Sequence, residues 1–250
     1  MDMQSRSGVA GLALVVTLCA GNLAGAATFG TITPNFINGT GTSRAGFTIV
    51  TVGNLELGLR AHLRYDSTGH PQNIFNYNPS TQAYEFDPAH SFAPVNRSIF
   101  NFDFSIDTNA DGNSSNRISS YSYALGFDTN PGLGVSFGVF DPIVWLPDNT
   151  FGTNSTLPGG GTVGGNAALF SVAQNSQNMG FGYLTPPQTP GLYNFYLTAF
   201  DAPNHAVATT AIKVWVGAGT APVPLHAGLP LLGRAFAGLA LLGKRRKTAA

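Results

Sequence analysis

The segment DTNADGN at Asp107–Asn113 carries oxygen-bearing side chains at alternate positions, followed by a glycine. Calcium loops begin in this way, because alternate carboxylate and amide oxygens can converge on one cation while glycine permits a sharp turn. An EF-hand also needs a glutamate at the last position of its loop, where this chain has Ile118. The pattern therefore predicts either a looser calcium site with Asp107, Asn109 and Asp111 as ligands, or a polar hairpin loop in which these residues supply turn geometry alone.

The remaining titratable side chains of the body form no motif with catalytic spacing. The histidines lack the spacing of metal-binding pairs, and we expect them on solvated strand faces and loops: His62, His70, His90 and His205. A carboxylate pair for glycoside hydrolysis stays open as an alternative, because such pairs meet in space rather than in sequence. The candidates closest together in the chain are Asp103, Asp107 and Asp128. We assign no catalytic residue and expect a protein that is not an enzyme.

Aromatic residues are concentrated in the long segment Ser67–Asn96, which is also rich in proline and asparagine. Two interpretations apply to its aromatic side chains, which include Phe75, Tyr77, Tyr84 and Phe86. The rings either stack on sugars, as in a carbohydrate-binding module, or pack beneath the loop as part of the core.

The charge of the chain is unevenly distributed. The formal net charge is +0, but between Ala27 and Ala221 six basic residues face eleven acidic ones, which gives −5 for the body. An acidic body of this kind is a poor ligand for phosphate backbones, so we expect no nucleic-acid partner. Because the chain has a single cysteine, Cys19, the body has neither disulfides nor thiolate metal sites and must be stabilised by burial.

Period-two alternation of apolar and polar residues predicts an all-β fold. From Leu55 to Tyr65 the odd-numbered positions are apolar or aromatic, while Glu56, Arg60, His62 and Arg64 share the opposite face. Similar alternation predicts strands at residues 47–52, 100–106, 121–127, 135–139, 193–197 and 212–216. Strands that recur with turn signals between them favour a single antiparallel β-sandwich over residues 27–217, with a closed barrel as the alternative.

The N-terminus has the features of a signal peptide. Arg6 precedes an apolar stretch from Val9 to Ala20, and Ala24-Gly25-Ala26 is a small-residue cleavage site. We therefore expect residues 1–26 to be removed after Ala26, with Ala24 and Ala26 as the cleavage-site residues. Lipidation at Cys19 stays open as an alternative, although Leu18 stands where lipoprotein signals have a small residue.

The C-terminus combines a short motif, an apolar stretch and a basic cluster. After a linker at residues 218–222, the motif Val223-Pro224-Leu225 leads into the apolar stretch Ala227–Gly243. The cations that follow at once are expected on the cytoplasmic side of a bilayer: Lys244, Arg245, Arg246 and Lys247. Arg234 lies within the apolar stretch, where a charge costs about 2.5–3.5 kcal/mol, so transient insertion of a helix fits better than a permanent anchor. The alternative is an amphipathic helix packed on the body.

This order resembles the C-terminal sorting signal of the PEP-CTERM class, in its VPLPA variant, with His226 in place of the second proline. The segments at 151–156, 172–181 and 191–201 also resemble exported portions of PEP-CTERM proteins. The resemblance implies cleavage of the segment 223–247 by an exosortase-type membrane protease and release to the cell surface or the extracellular matrix. It implies a structural or adhesive role near extracellular polysaccharide.

Overall fold

The structure is a computed structural model that describes residues 26–32, 45–132, 134–181, 190–219 and 221. Ala24 in the expected signal peptide and all of the expected sorting segment, Val223–Lys247, lie outside these residues. Ala26 is the first described residue and is exposed. Within the described ranges, no helix is long and apolar enough to span a membrane.

Two β-sheets make up most of the described chain. The larger, sheet A, has the strand order β1-β2-β3-β7-β12-β10-β11, and β4 also pairs with β3. All of its pairings are antiparallel. Its strands are β1 (Thr28–Gly30), β2 (Phe47–Val52), β3 (Leu55–Tyr65), β4 (Pro71–Ile74), β7 (Phe100–Asp107), β10 (Thr150–Gly152), β11 (Thr162–Val163) and β12 (Val172–Asn178).

The smaller sheet, sheet B, has the order β5-β6-β14-β13-β8-β9. It contains β5 (Tyr77–Asn78), β6 (Ala83–Phe86), β8 (Ser122–Asp128), β9 (Phe137–Phe140), β13 (Gly191–Ala202) and β14 (His205–Val216). The long hairpin β13–β14 forms its centre. One pairing is parallel, between β14 and β6, and therefore departs from the purely antiparallel arrangement that we predicted.

The two sheets bury one continuous apolar core between them. Three of the four inward-facing residues of β7 are phenylalanines, and Phe100 and Phe102 contact Phe195 of β13, with ring centroids 6.3 Å and 5.1 Å apart. Phe100 also meets Tyr193 at 5.6 Å, edge to face. These rings are at most 1% exposed, and each such side chain contributes about 1.5–3 kcal/mol through burial.

A single turn of helix, α1 (Pro142–Trp145), connects sheet B to β10. Asp141 caps it, because its Oδ1 accepts hydrogen bonds from the backbone N–H groups of Ile143 at 2.8 Å and Val144 at 3.4 Å. The loop that follows brings the chain to the edge strands β10 and β11, beside β12.

The prediction of an all-β fold is confirmed, and the strands expected from alternation are present. β2 and β3 have the predicted bounds, and within the aromatic-rich segment Ser67–Asn96 β5 and β6 form a short hairpin. β12 was not predicted, because its residues VAQNSQN show no alternation of apolar and polar side chains. The short strands β1, β4, β10 and β11 were not predicted either.

Candidate functional site

The outer face of sheet A, which points away from the shared core, is polar and yet buried. Antiparallel register places Glu56 opposite Asp107, Arg60 opposite Asp103, and His62 opposite Asn101 across β3 and β7. On the other side of β7, the β12 residues Gln174, Ser176 and Asn178 stand opposite Ser105, Asp103 and Asn101. All of these residues are at most 9% exposed. Strands of this kind normally turn such residues to solvent, so this face is unusual.

Arg60, Asp103 and His62 form a buried ionic cluster at the centre of this face. The Arg60 Nε donates to Asp103 Oδ2 at 2.5 Å, and the His62 Nδ1 lies 3.2 Å from the same oxygen. The side chains of all three are 0% exposed. The Arg60 guanidinium lies between the rings of Phe47 and Phe75, with its Cζ 4.2 Å and 4.3 Å from their centroids.

The charges around Asp103 decide its protonation. Burial alone would raise the pKa of Asp103, but the nearby charges of His62 and Arg60 outweigh that effect and lower the pKa to about 2. The carboxylate therefore stays ionised at neutral pH and is committed to its two partners. It is placed to hold β3 and β7 together rather than to exchange protons with a substrate.

Asp107 and Glu56 form a pair of acidic residues at the other end of the same face. Burial is the main reason that the pKa of Asp107 rises to about 7, and the charges of Glu56 and Asp111 raise it further. The backbone N–H of Asn109 donates to Asp107 Oδ1 at 2.8 Å. Among the described residues, Asp107 Oδ2 has no hydrogen-bond partner.

The side chains of the expected calcium site fold back onto their own loop. Besides the bond to Asp107, the Asn109 Oδ1 accepts from the backbone N–H of Ser114 at 2.5 Å, and the Asp111 Oδ1 accepts from that of Asn113 at 3.0 Å. The described ranges contain no group of three His, Cys, Asp or Glu side chains that could hold a metal ion. Gly112 has a positive φ of 75°, as the sharp turn requires. The loop thus has the turn geometry of the alternative interpretation, and calcium binding stays a prediction.

Of the four histidines in the described part of the chain, three are exposed as expected, but His62 is not. His70, His90 and His205 are solvent-exposed and pair with aspartates close in sequence. The expectation that His62 occupies a solvated strand face is wrong, because the outer face of β3 is covered. The ring of Phe75 lies 5.3 Å from the His62 ring and forms part of that cover.

The loop aromatics are packed into the fold. Tyr84 and Phe86 are core residues at 0% and 2% exposure, and Phe75 lies against Arg60. Tyr77 is half-buried and stacks on Phe29 with centroids 4.2 Å apart. The packing interpretation therefore accounts for all four of these rings better than sugar stacking does.

The candidate carboxylates of a glycosidase are not brought together. Asp103 and Asp107 lie on β7 of sheet A, whereas Asp128 ends β8 of sheet B and accepts from Asn194 Nδ2 at 3.1 Å. All three are fully buried.

A G-x-S-x-G pattern at residues 134–138 also lacks the setting of a hydrolase nucleophile. Ser136 stands at the entry to the edge strand β9, not between a strand and a helix, and its backbone N–H donates to Asp128 Oδ1 at 3.1 Å. No catalytic role follows from this serine.

A cavity of about 360 Å³ opens where the outer face of sheet A meets the loops at one end of the sheet. Arg64 of β3, Asn101 of β7 and Ser176 and Asn178 of β12 line it, so it crosses three neighbouring strands. It continues to Asp148, just before β10. The lining of the cavity combines cationic, amide, hydroxyl and carboxylate groups.

Sequence reasoning identified Arg64 only as an outer-face residue of β3 and missed the rest of this cavity. Asn101 and Asp148 carry no local motif, and Ser176 and Asn178 belong to the strand that the alternation did not predict. The one available signal was the unusual density of amide side chains in residues 172–178.

Comparison with known proteins assigns no function to this geometry. No protein-family model matches the chain, and no curated protein is significantly similar to it.

Proposed function

We propose that this is an exported, non-enzymatic protein of the cell envelope or the exopolysaccharide matrix. Its signal peptide directs it through the inner membrane, and its C-terminal helix inserts transiently. An exosortase-type membrane protease then cleaves at Val223-Pro224-Leu225 and releases a single β-sandwich domain, where it acts in a structural or adhesive role.

The observation that carries this proposal is the order of elements at the C-terminus. A proline-containing motif, an apolar stretch and a cluster of four cations follow one another directly. The cations stop translocation on the cytoplasmic side, which leaves the motif and the body on the opposite side of the membrane. The signal-peptide features at the N-terminus support the same route.

The described body is consistent with a structural role. It buries a continuous aromatic and aliphatic core and a second, polar layer on the outer face of sheet A. The buried carboxylates of that layer, Asp103 and Asp107, do not line the cavity, whose only described carboxylate is Asp148. These features favour a rigid scaffold over a hydrolase.

Processing in the native host tests the proposal. Mass spectrometry of the exported protein should find a chain that begins at Ala27 and lacks the tail through Lys247. Replacing Pro224 and Leu225 by alanine should leave a larger, membrane-associated species. The matched control replaces Pro230 and Leu231, the same two residue types within the apolar stretch, and should leave cleavage at the motif intact. Exported protein that retains Lys247 would overturn the sorting proposal.

The alternative function is a carbohydrate-binding module. Its original form, with the loop aromatics as the sugar-stacking surface, loses support because Tyr84 and Phe86 lie in the core. The cavity on the outer face of sheet A favours a different form of the same idea, since cationic and amide groups line a concave surface there.

A further inference from the structure

We propose that the cavity at the end of sheet A binds an acidic saccharide, with Arg64 and Arg97 holding the carboxylate of a uronic-acid ring. This inference rests on the proposed setting of the protein among extracellular polysaccharides. The cavity, and not an exposed row of aromatic rings, would then be the adhesive element of the domain.

The distribution of cations is the first reason. The described residues include five lysines and arginines: Arg60, Arg64, Arg97, Arg117 and Lys213. Arg60 is buried in its ion pair with Asp103, and two of the other four line this one cavity. In a body with an excess of acidic residues, such a concentration of positive charge at a concave site favours an anionic ligand.

Both cations are arginines, and this narrows the chemical class of the ligand further. An arginine guanidinium is a planar fork that matches a carboxylate in a bidentate manner, which a lysine cannot do. Arg64 is half-buried on β3, and its Nη1 makes only a long contact of 3.4 Å with the backbone carbonyl of Gln72. Among the described residues Arg64 forms no ion pair. Arg97 is exposed, and its guanidinium lies 5.0 Å from the ring of Phe181, which fixes its direction at the rim.

The floor of the cavity accounts for the saccharide part of the proposal. Asn178 Nδ2 donates to Asn101 Oδ1 at 2.7 Å, and Asn101 Nδ2 donates to Ser176 Oγ at 3.0 Å. The amide of Asn178 is fully used by the protein, because its Nδ2 also donates to the carbonyls of Ser98 and Phe100 and its Oδ1 accepts from the N–H groups of Ser98 and Gly180. Asn178 therefore positions Asn101, whose amide oxygen and second N–H remain for a ligand. A simple inorganic anion would need only the arginines, whereas the hydroxyls of a sugar also use amide and hydroxyl groups.

The two ends of the cavity differ in charge. Asp148 lies beside β10, three strand positions and therefore about 14 Å from β3, which carries Arg64. Its Oδ1 accepts from Asn175 Nδ2 at 3.0 Å and Gln177 Nε2 at 3.3 Å. A carboxylate held in this way accepts hydrogen bonds from sugar hydroxyls, while the arginine end receives the acid group. The rings of Tyr65 and Phe181 add apolar surface for the face of a pyranose.

Calorimetry tests the proposal. The full-length chain is purified in mild detergent and titrated with oligogalacturonate. The methyl ester of the same oligosaccharide is the matched ligand, because it keeps every ring and loses the negative charge. We expect binding of the acid form that weakens as salt rises, and at least tenfold weaker binding of the ester. Arg64→Gln should weaken binding of the acid form by about 10- to 100-fold, and Arg64→Lys should fall between this variant and the wild type.

Arg117→Gln is the matched control. Like Arg97, Arg117 is exposed and donates from Nη1 to the carbonyl of the preceding asparagine, at 3.2 Å, but it lies outside the cavity. The Arg117→Gln variant should bind the acid form with the affinity of the wild type.

Three results would overturn the proposal: equal binding of acid and ester, an unchanged affinity in Arg64→Gln, or no binding of either ligand. Competition by inorganic phosphate as strong as that by galacturonate would overturn the saccharide assignment. Because cleavage of the tail is measured separately, correct export without uronate binding would reject this inference alone.

Discussion

The carboxylate of Asp103 accepts a hydrogen bond from Arg60 Nε at 2.5 Å, and neither side chain is accessible to solvent. The two residues are 43 positions apart in the chain and become neighbours because β3 and β7 pair in antiparallel register. Desolvation of both charges is costly, so the pair specifies register rather than adding much net stability.

Removing one partner of this pair should be strongly destabilising. Arg60→Met leaves the Asp103 carboxylate buried with His62 alone, and we expect a loss of about 3–5 kcal/mol in the free energy of unfolding. Denaturant unfolding measures this loss. The exposed Arg117→Met should change stability by no more than about 0.5 kcal/mol. Adding Asp103→Leu to Arg60→Met should recover part of the loss, and a single variant as stable as the wild type would contradict the assigned role.

Asp107 should make the protein less stable as the pH rises from about 4 to about 7. Its pKa is raised from 3.8 to about 7 in the folded state, so within this range the folded chain binds more protons than the unfolded chain. Stability therefore falls with increasing pH, by an amount on the order of 2 kcal/mol. Asp103 acts in a different window, since its lowered pKa makes its contribution disappear only as the pH falls from about 4 to about 2.

Asp107→Asn provides the measurement. The amide oxygen keeps the acceptor for the Asn109 N–H, while the titration is removed. Unfolding free energies at pH 4 to 8 should show a flatter profile and higher stability than the wild type at pH 8. A profile parallel to that of the wild type would show that Asp107 titrates normally.

Gly180 should not tolerate a side chain. A Cβ atom at this position would lie 2.5–2.6 Å from the backbone of Arg97 and Ser98, and a backbone cannot move aside as a flexible side chain can. Gly180→Ala is therefore expected to cost about 1–3 kcal/mol. Gly134→Ala is the matched control, because a Cβ there meets nothing within 4 Å. The melting temperatures of the two variants should differ by several degrees. Equal melting temperatures would refute the close approach of Gly180 to the backbone of Arg97 and Ser98.

Calcium binding by the Asp107–Asn113 loop is a separate prediction. The missing final glutamate places the expected dissociation constant at about 10⁻⁴–10⁻³ M. Calcium at about a hundred times that constant would stabilise the fold by about 2.7 kcal/mol, which is several degrees in melting temperature. Melts with calcium and with chelator measure it, and Asp111→Ala should abolish the difference. Asp201→Ala, at an exposed position near the end of β13, should retain the difference. A wild-type melting temperature that does not change with calcium would show that the loop is a polar turn alone.

The strands that alternation predicted are those with one apolar and one polar face. Along β3, the residues Leu55, Leu57 and Leu59 turn to the core, and such a pattern is local enough to be read without knowledge of the partner strands. The same holds for β7, β8 and the hairpin β13–β14. The proposed export route also rests on local order, in the apolar segments and the small-residue and basic motifs near the two termini.

Only the tertiary structure decided what happens to the polar faces of these strands. β12 carries amides on both faces, since Asn175 and Gln177 point to the side opposite Gln174 and Asn178. Pairing with β7 and β10, rather than local sequence, makes it a strand. The ion pair of Arg60 with Asp103 and the proximity of Glu56 to Asp107 depend on the pairing of β3 with β7, and the cavity between Arg64 and Asp148 also needs β12. Each of these features brings together residues that are distant in the chain. Burial from both sides then determines their charge state and accessibility, which their sequence neighbours do not encode.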